Sequence, residues 1–533
     1  MVLEITTAEW QKAKDIQHKL RDAANDAAQH ELLVENCANN IILGKLGTAY
    51  LPRFHQMVAS NTSNNIDIGI PGLNHNFIAI EDKLYVIDNV DKSARLGAGQ
   101  FGQVFSAQNE DGIECAIKVE PTVKHSINEV NALSAMNYLQ ATAEIDNHFY
   151  TVMNRFPGHS LAKVPHPWKA AVEKLGFNLT NLQKVKTDFG YDGFDDPDFY
   201  SAICKRMSNN TTGDVPEFTI IHLEQLKANV RALEKQNIYS DSECLGFVIS
   251  AGEQMKHAFD NGILHRDIKG DNFVGQINVD KSINVAMVDF GGAINLSDAS
   301  KATSPFGTPK YMAPEVLCSL PIYSQIKCFP NQPVTEPKPA AYSCASDIFS
   351  FAGMCEYDFN MDPNAGFGVL PFAKSIEPKD RPSIENILTC FKAALACLSA
   401  NSEDKLPIIS DFIQEIQSST MSEALKHTVL STLVNKELNN IHDKFSLEYT
   451  KVAGSPLQSQ GFFAKKPSTV AGASMKEIAE NAAKPHVLHH RKRDVLKTNG
   501  WIGEDNQPKG LLKKLLHCEA ELATEKQNTP ILK

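Results

Sequence analysis

The spacing of apolar residues changes several times along the chain, and each change predicts an element. Near the start, Trp10, Ala13, Ile16 and Leu20 recur at helical intervals behind Thr6 and Glu9, a pair with capping-box spacing, which predicts helix over about residues 6–60. Asn61 to Asn65 is polar and turn-like. Two apolar runs then flank Glu81-Asp82-Lys83, namely Phe77 to Ile80 and Leu84 to Asp88, and predict a hairpin. Strand-like runs follow at Val104–Ala107 and Cys115–Lys118, joined by a turn at Asp111-Gly112, and again at Phe149–Met153. Between them Glu129 opens a helical pattern carried by Val130, Leu133 and Met136. Leu245 to Asn261 is amphipathic and helical, Val285–Val288 reads as a strand, and Leu406 to Leu447 returns to a helical period.

Composition narrows the class. At 533 residues the chain exceeds one ordinary domain. Its 42% hydrophobic and 22% charged residues are those of a soluble globular protein. A net charge of −11 gives no global attraction to nucleic acid or anionic lipid. The 11 cysteines include no CxxC pair, and Cys318, Cys328, Cys344 and Cys355 lack zinc-ligand spacing; scattered reduced thiols are expected. No basic stretch followed by an apolar core opens the chain, so no secretory signal peptide is expected. No run approaches the roughly 18 apolar residues needed to span a bilayer. The expectation is a soluble, cytoplasmic protein with no nucleic-acid partner and no transmembrane segment.

The densest chemistry is His265-Arg266-Asp267-Ile268-Lys269-Gly270-Asp271-Asn272, with Asp289-Phe290-Gly291 a short interval later. A lone His-Arg-Asp would be a chance surface cluster. The ordered set offers a base, a cation and two oxygen ligands, which are the needs of phosphoryl transfer. Upstream lies Leu96-Gly97-Ala98-Gly99-Gln100-Phe101-Gly102-Gln103-Val104. Its GxGxxG is weak alone, because dinucleotide-binding turns share it. A dinucleotide unit would open a helix at the glycines, whereas here a second strand follows and then Cys115-Ala116-Ile117-Lys118.

These motifs resemble those of eukaryotic-type serine/threonine protein kinases over about residues 90–395. The resemblance implies an α+β, bilobal protein-kinase fold: a small β-rich N-lobe and a larger α-helical C-lobe, with helical N- and C-terminal extensions. It implies ATP and Mg²⁺ as cofactors and protein Ser or Thr as acceptor. Asp267 would be the base, Lys269 would meet the γ-phosphate, and Asn272 and Asp289 would hold the metal. Leu96, Gly97, Ala98, Gly99, Gln100, Phe101, Gly102 and Val104 would cover the nucleotide, under Ala116. Lys118 would grip the α- and β-phosphates with Glu129 as its partner. Glu120, two along the same strand, is read as a solvent- or loop-facing charge. Met153 would be the gatekeeper, Arg155 and Phe156 would lie in the hinge, and Val274 would floor the adenine pocket. Gly307 to Glu315 resembles the substrate-docking loop and its APE motif, with Thr308 orienting the catalytic loop. Asp347 would tie that loop's backbone and Arg381 would pair with Glu315. Arg266 would hold a phosphate on Ser300, Thr303 or Ser304.

The division expected is 1–65 helical extension, 66–395 kinase domain with insertions at about 162–243 and 317–345, 400–450 helical region, and 454–533 linker and tail. The first insertion holds an acidic aromatic loop at Gly190 to Asp196 and a helix over about 217–236. Lys118-Val119-Glu120 and Asp271-Asn272-Phe273 are similar to the casein-kinase-1 branch, from which the APE motif departs. The insertions and unmatched ends resemble bacterial effector kinases of the Legionella type, which implies host-cell partner proteins and delivery into a host cytosol by a type IV system. A basic run, HVLHHRKR at 486–493, reads as a solvated face or a targeting patch. Leu511 to Leu516 begins an amphipathic helix that would dock on the protein or on a membrane. Two alternatives stay open. A pseudokinase scaffold would normally lack Lys118, Asp267 or Asp289. A small-molecule kinase of similar fold would lack the docking segment.

Overall fold

The computed structural model describes residues 5–22, 76–163 (apart from 82, 88–94, 99–101, 125 and 146–147), 241–319, 339–400 (apart from 360), 404–453 and 474–528 (apart from 485–487 and 489). The opening helix, α1, runs Thr7–Asp22, and Thr6 caps it through the Glu9 N–H at 3.2 Å. The rest of the helix expected to residue 60 lies outside the described residues, as do the loop at 190–196 and the helix at 217–236.

Seven antiparallel strands make the small-lobe sheet: β1 (Asn76–Ile80), β2 (Lys83–Ile87), β3 (Arg95–Ala98), β4 (Gln103–Asn109), β5 (Glu114–Pro121), β6 (Leu139–Ile145) and β7 (His148–Asn154). The order is β1-β2-β4-β5-β7-β6, with β3 also on β4. The β1–β2 hairpin is therefore part of the sheet. The Glu81 carboxylate at its turn accepts from the Thr142 N–H on the far-edge strand β6 at 3.0 Å, so the sheet curls round on itself. Trp10 of α1 meets Phe77 edge-on, with ring centroids 5.2 Å apart.

The two-residue period of β5 separates core from site. Cys115, Ile117 and Val119 join Tyr85, Phe105, Tyr150 and Val152 in the apolar interior. Ala116, Lys118 and Glu120 take the opposite face, towards the helix α2 (Ile127–Ala135). Short strands β8 (His159–Ser160), β9 (Ile263–Leu264), β10 (Phe273–Ile277), β11 (Ile283–Met287) and β12 (Ile294–Asn295) frame the loops below the sheet.

The larger lobe is helical: α3 (Asp241–Asp260), α4 (Pro314–Leu317), α5 (Cys344–Tyr357), α6 (Val369–Ala373) and α7 (Ile384–Ser399). The segment predicted as one helix from Leu406 to Leu447 is two, α8 (Lys405–Ser418) and α9 (Glu423–Ala453). A serine-rich break separates them, and Ser422 Oγ accepts from the Leu425 N–H at 3.3 Å as a cap.

The expected linker at 454–473 lies outside the described residues, but 474–528 are not a loose tail. They form α10 (Met475–Ala482), α11 (His490–Thr498) and α12 (Gly510–Asn528). Ile478, Leu496, Leu512 and Leu515 are buried in the same apolar cluster as Phe351 of α5 and Phe391 of α7. Burial of these side chains fixes the helices, each contributing about 1.5–3 kcal/mol. Leu511 to Leu516 thus docks on the protein. Among the described residues, no helix is long and apolar enough to cross a membrane, and the cysteines are free thiols.

Candidate active site

β9 and β12 pair antiparallel and hold the catalytic loop at its entry. Asp347, on the first turn of α5, accepts the His265 N–H at 2.8 Å and the Arg266 N–H at 3.1 Å. Complete burial pushes the Asp347 carboxyl up to about 6 against the pull of His265 and Arg266. The His265 ring nitrogen sits 3.0 Å from the Val288 carbonyl, and its ring lies 5.1 Å from that of Phe290.

Four donors then fix Asp267. Its Oδ1 accepts from both the Thr308 N–H and the Thr308 hydroxyl, each at 2.8 Å. Its Oδ2 accepts from Lys269 Nζ at 2.7 Å and Asn272 Nδ2 at 3.1 Å. Burial alone would raise its pKa, but Lys269 and Thr308 outweigh it and hold the carboxyl below the usual aspartate range. Lys269 also donates to Thr308 Oγ1 at 2.8 Å. Residues from the catalytic loop and the docking segment therefore converge on one carboxylate.

Lys118 is buried, and its Nζ donates to both Glu129 oxygens at 2.7 and 2.6 Å. Glu129 stands in the first turn of α2. Glu120 is not solvent-facing: it is 1% exposed and its Oε2 lies 3.2 Å from Lys118 Nζ. The strand period explains the correction, since residues two apart share a face and both point towards α2. Burial works against the ammonium charge, but Glu129 and then Glu120 more than compensate, so the Lys118 pKa is raised.

Of the nucleotide-covering residues, Gly99, Gln100 and Phe101 lie outside the described residues. Leu96 is exposed, and Gly97 and Ala98 end β3. A Cβ on Gly102 would stand 2.5 Å from the Val119 carbonyl oxygen, so only glycine allows that approach. Val104 pairs with Lys118, and Ala116 lies between Ser106 and Met153 in register. Met153 is half-buried, and its strand ends at Asn154, whose N–H donates to the Tyr138 carbonyl at 2.9 Å. Phe156 packs edge-on to Tyr138 at 4.6 Å, and the Arg155 side chain pairs with Glu114 at 3.1 Å. Val274 sits on β10, registered with Ala286 and Ser160.

Asp289 is exposed and takes a left-handed backbone, φ 61° and ψ 67°, a strained setting that clusters at functional sites. Fully buried Phe290 beside it packs near Tyr138 and His265. Among the described residues no cluster of three or more His, Cys, Asp or Glu could hold a metal alone. Mg²⁺ on a nucleotide needs only one or two protein oxygens besides phosphates. Asn272 commits its Nδ2 to Asp267, which leaves Oδ1 as acceptor, and Asp289 adds a carboxylate. The donor set fits that ion.

Arg381 and Glu315 form a two-point ion pair at 2.6 and 2.7 Å, with the Arg381 side chain fully buried. Asp358 was not among the residues singled out in the sequence. Asp358 accepts from the Tyr311 hydroxyl at 2.6 Å and from the Gly270 N–H at 2.8 Å, joining docking segment to catalytic loop. It follows Asp347 by about three helical turns and caps the C-terminal end of α5, so both carboxylates stand on the side of that helix facing the loops; that spacing was the available signal.

Comparison with known proteins agrees with this geometry. The family model for the protein kinase domain matches residues 210–354. Similar curated proteins include a probable serine/threonine-protein kinase of Dictyostelium discoideum, 23% identical over 358 residues (64% of this chain, 20% of that protein). Another is the inhibitor of nuclear factor kappa-B kinase subunit epsilon of Mus musculus, 25% identical over 181 residues (34% and 22%). A third is the serine/threonine-protein kinase polo of Drosophila melanogaster, 23% identical over 181 residues (32% and 30%). The chain spans about a fifth of the length of the first two of these. With the matched segment, the bilobal architecture and the convergence on Asp267 in hand, the chain carries a eukaryotic-like protein kinase domain.

Proposed function

We propose that the protein is a serine/threonine protein kinase that transfers the γ-phosphate of ATP to protein hydroxyls. The observation that carries this is the setting of Asp267, whose two oxygens are held by Thr308, Lys269 and Asn272. A carboxylate kept ionised beside a substrate-docking segment can orient an incoming hydroxyl and accept its proton. Lys269 would neutralise the transferring phosphate. Lys118, steadied by two carboxylates, would place the α- and β-phosphates under Gly102 and Ala116. Mg²⁺, held by Asn272 and Asp289, would offset phosphate charge. The test is transfer of label from ATP by purified protein to generic protein acceptors, against sugars and lipids. Label on the small molecules alone would favour a small-molecule kinase, and none on any acceptor a scaffold.

The finer reading is a secreted bacterial effector acting on host proteins. It is supported by the divergent insertions and by Glu519, Glu521 and Glu525 ahead of Ile531-Leu532. Glu519 also serves the fold, pairing with Lys476 at 3.2 Å. Deleting Thr524 to Lys533, which spares Glu519, and following delivery into a host cell separates these roles: loss of delivery with kinase activity intact supports export, and unchanged delivery removes its support.

A further inference from the structure

Arg266, next to the candidate base, is held by the protein itself. Its backbone takes a positive φ of 68°, and its Nε donates to the Gly292 carbonyl at 2.5 Å. The guanidinium lies over two rings, 5.0 Å from the centroid of Phe306 and 4.9 Å from that of Tyr342. Tyr342 is buried in the stretch leading into α5. Its hydroxyl accepts the Phe306 N–H at 2.6 Å and lies 3.3 Å from the Ser304 and Phe306 carbonyl oxygens. Phe306 rests on Gly292, where a Cβ would come within 1.8 Å of the ring. Gly307 follows at φ 117°, where a Cβ would lie 2.5 Å from the Arg266 carbonyl oxygen. Thr308 then reaches Asp267. The contacts run without a break from Tyr342 to the reacting carboxylate.

We infer that Tyr342 is a positioning residue: with Phe306 it clamps Arg266 and so sets the docking segment and Asp267 with no phosphate on the loop. This rests on the kinase reading. The three loop hydroxyls expected to carry phosphate, Ser300, Thr303 and Ser304, are exposed, while Arg266 is engaged elsewhere. Drawing it to a phosphate would forfeit two cation–π contacts and the Gly292 hydrogen bond.

Four proteins test it: phosphatase-treated wild type, a Ser300/Thr303/Ser304 triple alanine, Tyr342→Leu and Tyr342→Phe. The first two keep wild-type turnover. Tyr342→Leu loses about tenfold or more in kcat, the equivalent of roughly 1.4 kcal/mol, with the KM for ATP unchanged. Tyr342→Phe, which keeps the ring, falls between. Amide exchange provides an arm independent of activity: the Phe306 and Thr308 amides are protected in unphosphorylated wild type, and in both Tyr342 variants the Phe306 amide exchanges faster while α3 is unchanged. A wild type that transfers no phosphate would sink the kinase reading but leave the exchange arm to decide the clamp. Loss of turnover on phosphatase treatment, or unaltered turnover and protection in Tyr342→Leu, overturns the inference.

Discussion

Lys118 and Glu120 stand two residues apart on β5 with their charged groups 3.2 Å from each other, while Glu129 approaches the same ammonium from α2 at 2.6 Å. The shorter contact uses both oxygens of Glu129, and such two-point charge-assisted bonds are the stronger kind. Glu129→Gln should therefore lower kcat/KM by more than about tenfold, and Glu120→Gln by less. Steady-state kinetics with ATP varied reads the difference; a reversed order would exchange the two roles.

Asp347 gives the chain a pH dependence. Its carboxyl is pushed from the ordinary 3.8 to about 6, so between those values the folded protein binds a proton that the unfolded chain does not. Its charged form is thus a penalty on folding at pH 7, relieved as pH falls through about 6. Relative to Asp347→Asn, the wild type should gain up to about 3 kcal/mol of stability between pH 7 and pH 3.8. Denaturant midpoints of both proteins across that range check the sign. Activity should fall over the same range, because protonated Asp347 no longer holds both loop amides equally.

The Arg381–Glu315 pair closes the docking segment against the helical lobe with the guanidinium wholly out of solvent. Removing one partner leaves a buried charge uncompensated, which costs about 3–5 kcal/mol. Glu315→Ala, which strands the buried guanidinium, should lose that much in chemical denaturation. The double change Arg381→Met with Glu315→Met should recover part of it.

The helices after residue 400 are integral to the large lobe. Leu515, fully buried on α12, shares the cluster with Phe391 and Val434. Leu515→Ala should cost about 2–5 kcal/mol and shift the unfolding of the whole helical lobe. A transition confined to the C-terminal helices, with the lobe's melting unmoved, would return them to the status of an appendage.

Much of the site was legible because its chemistry is written in short, ordered motifs. Lys118 pairs with Glu129, and Lys269 and Asn272 reach Asp267, where the resemblance put them, and the long-range ties from Asp347 and Arg381 form as well. Glu120 was misread because its place two along the strand from Lys118 was taken to turn it to solvent, whereas strand alternation puts both side chains on one face. Tyr342, Phe306 and Asp358 carried no motif; their roles depend on which loops the fold brings together across tens of residues. Of the C-terminal helices only the start of α12 was legible as an amphipathic segment, and a helical stripe does not name the surface it covers, so the place of α10 to α12 in the large-lobe core emerged only from packing.

The proposed role of Asp267 is that of the base in a phosphotransfer site. Replacing it by Asn keeps the size of the side chain but leaves one acceptor oxygen where Thr308 and Lys269 now use two, and no carboxylate to take a proton. The most direct measurement is the turnover of purified Asp267→Asn on a protein acceptor, with ATP affinity measured alongside. A fall in turnover of about 10²-fold or more with ATP affinity nearly unchanged is the predicted result. Wild-type turnover in Asp267→Asn would contradict it.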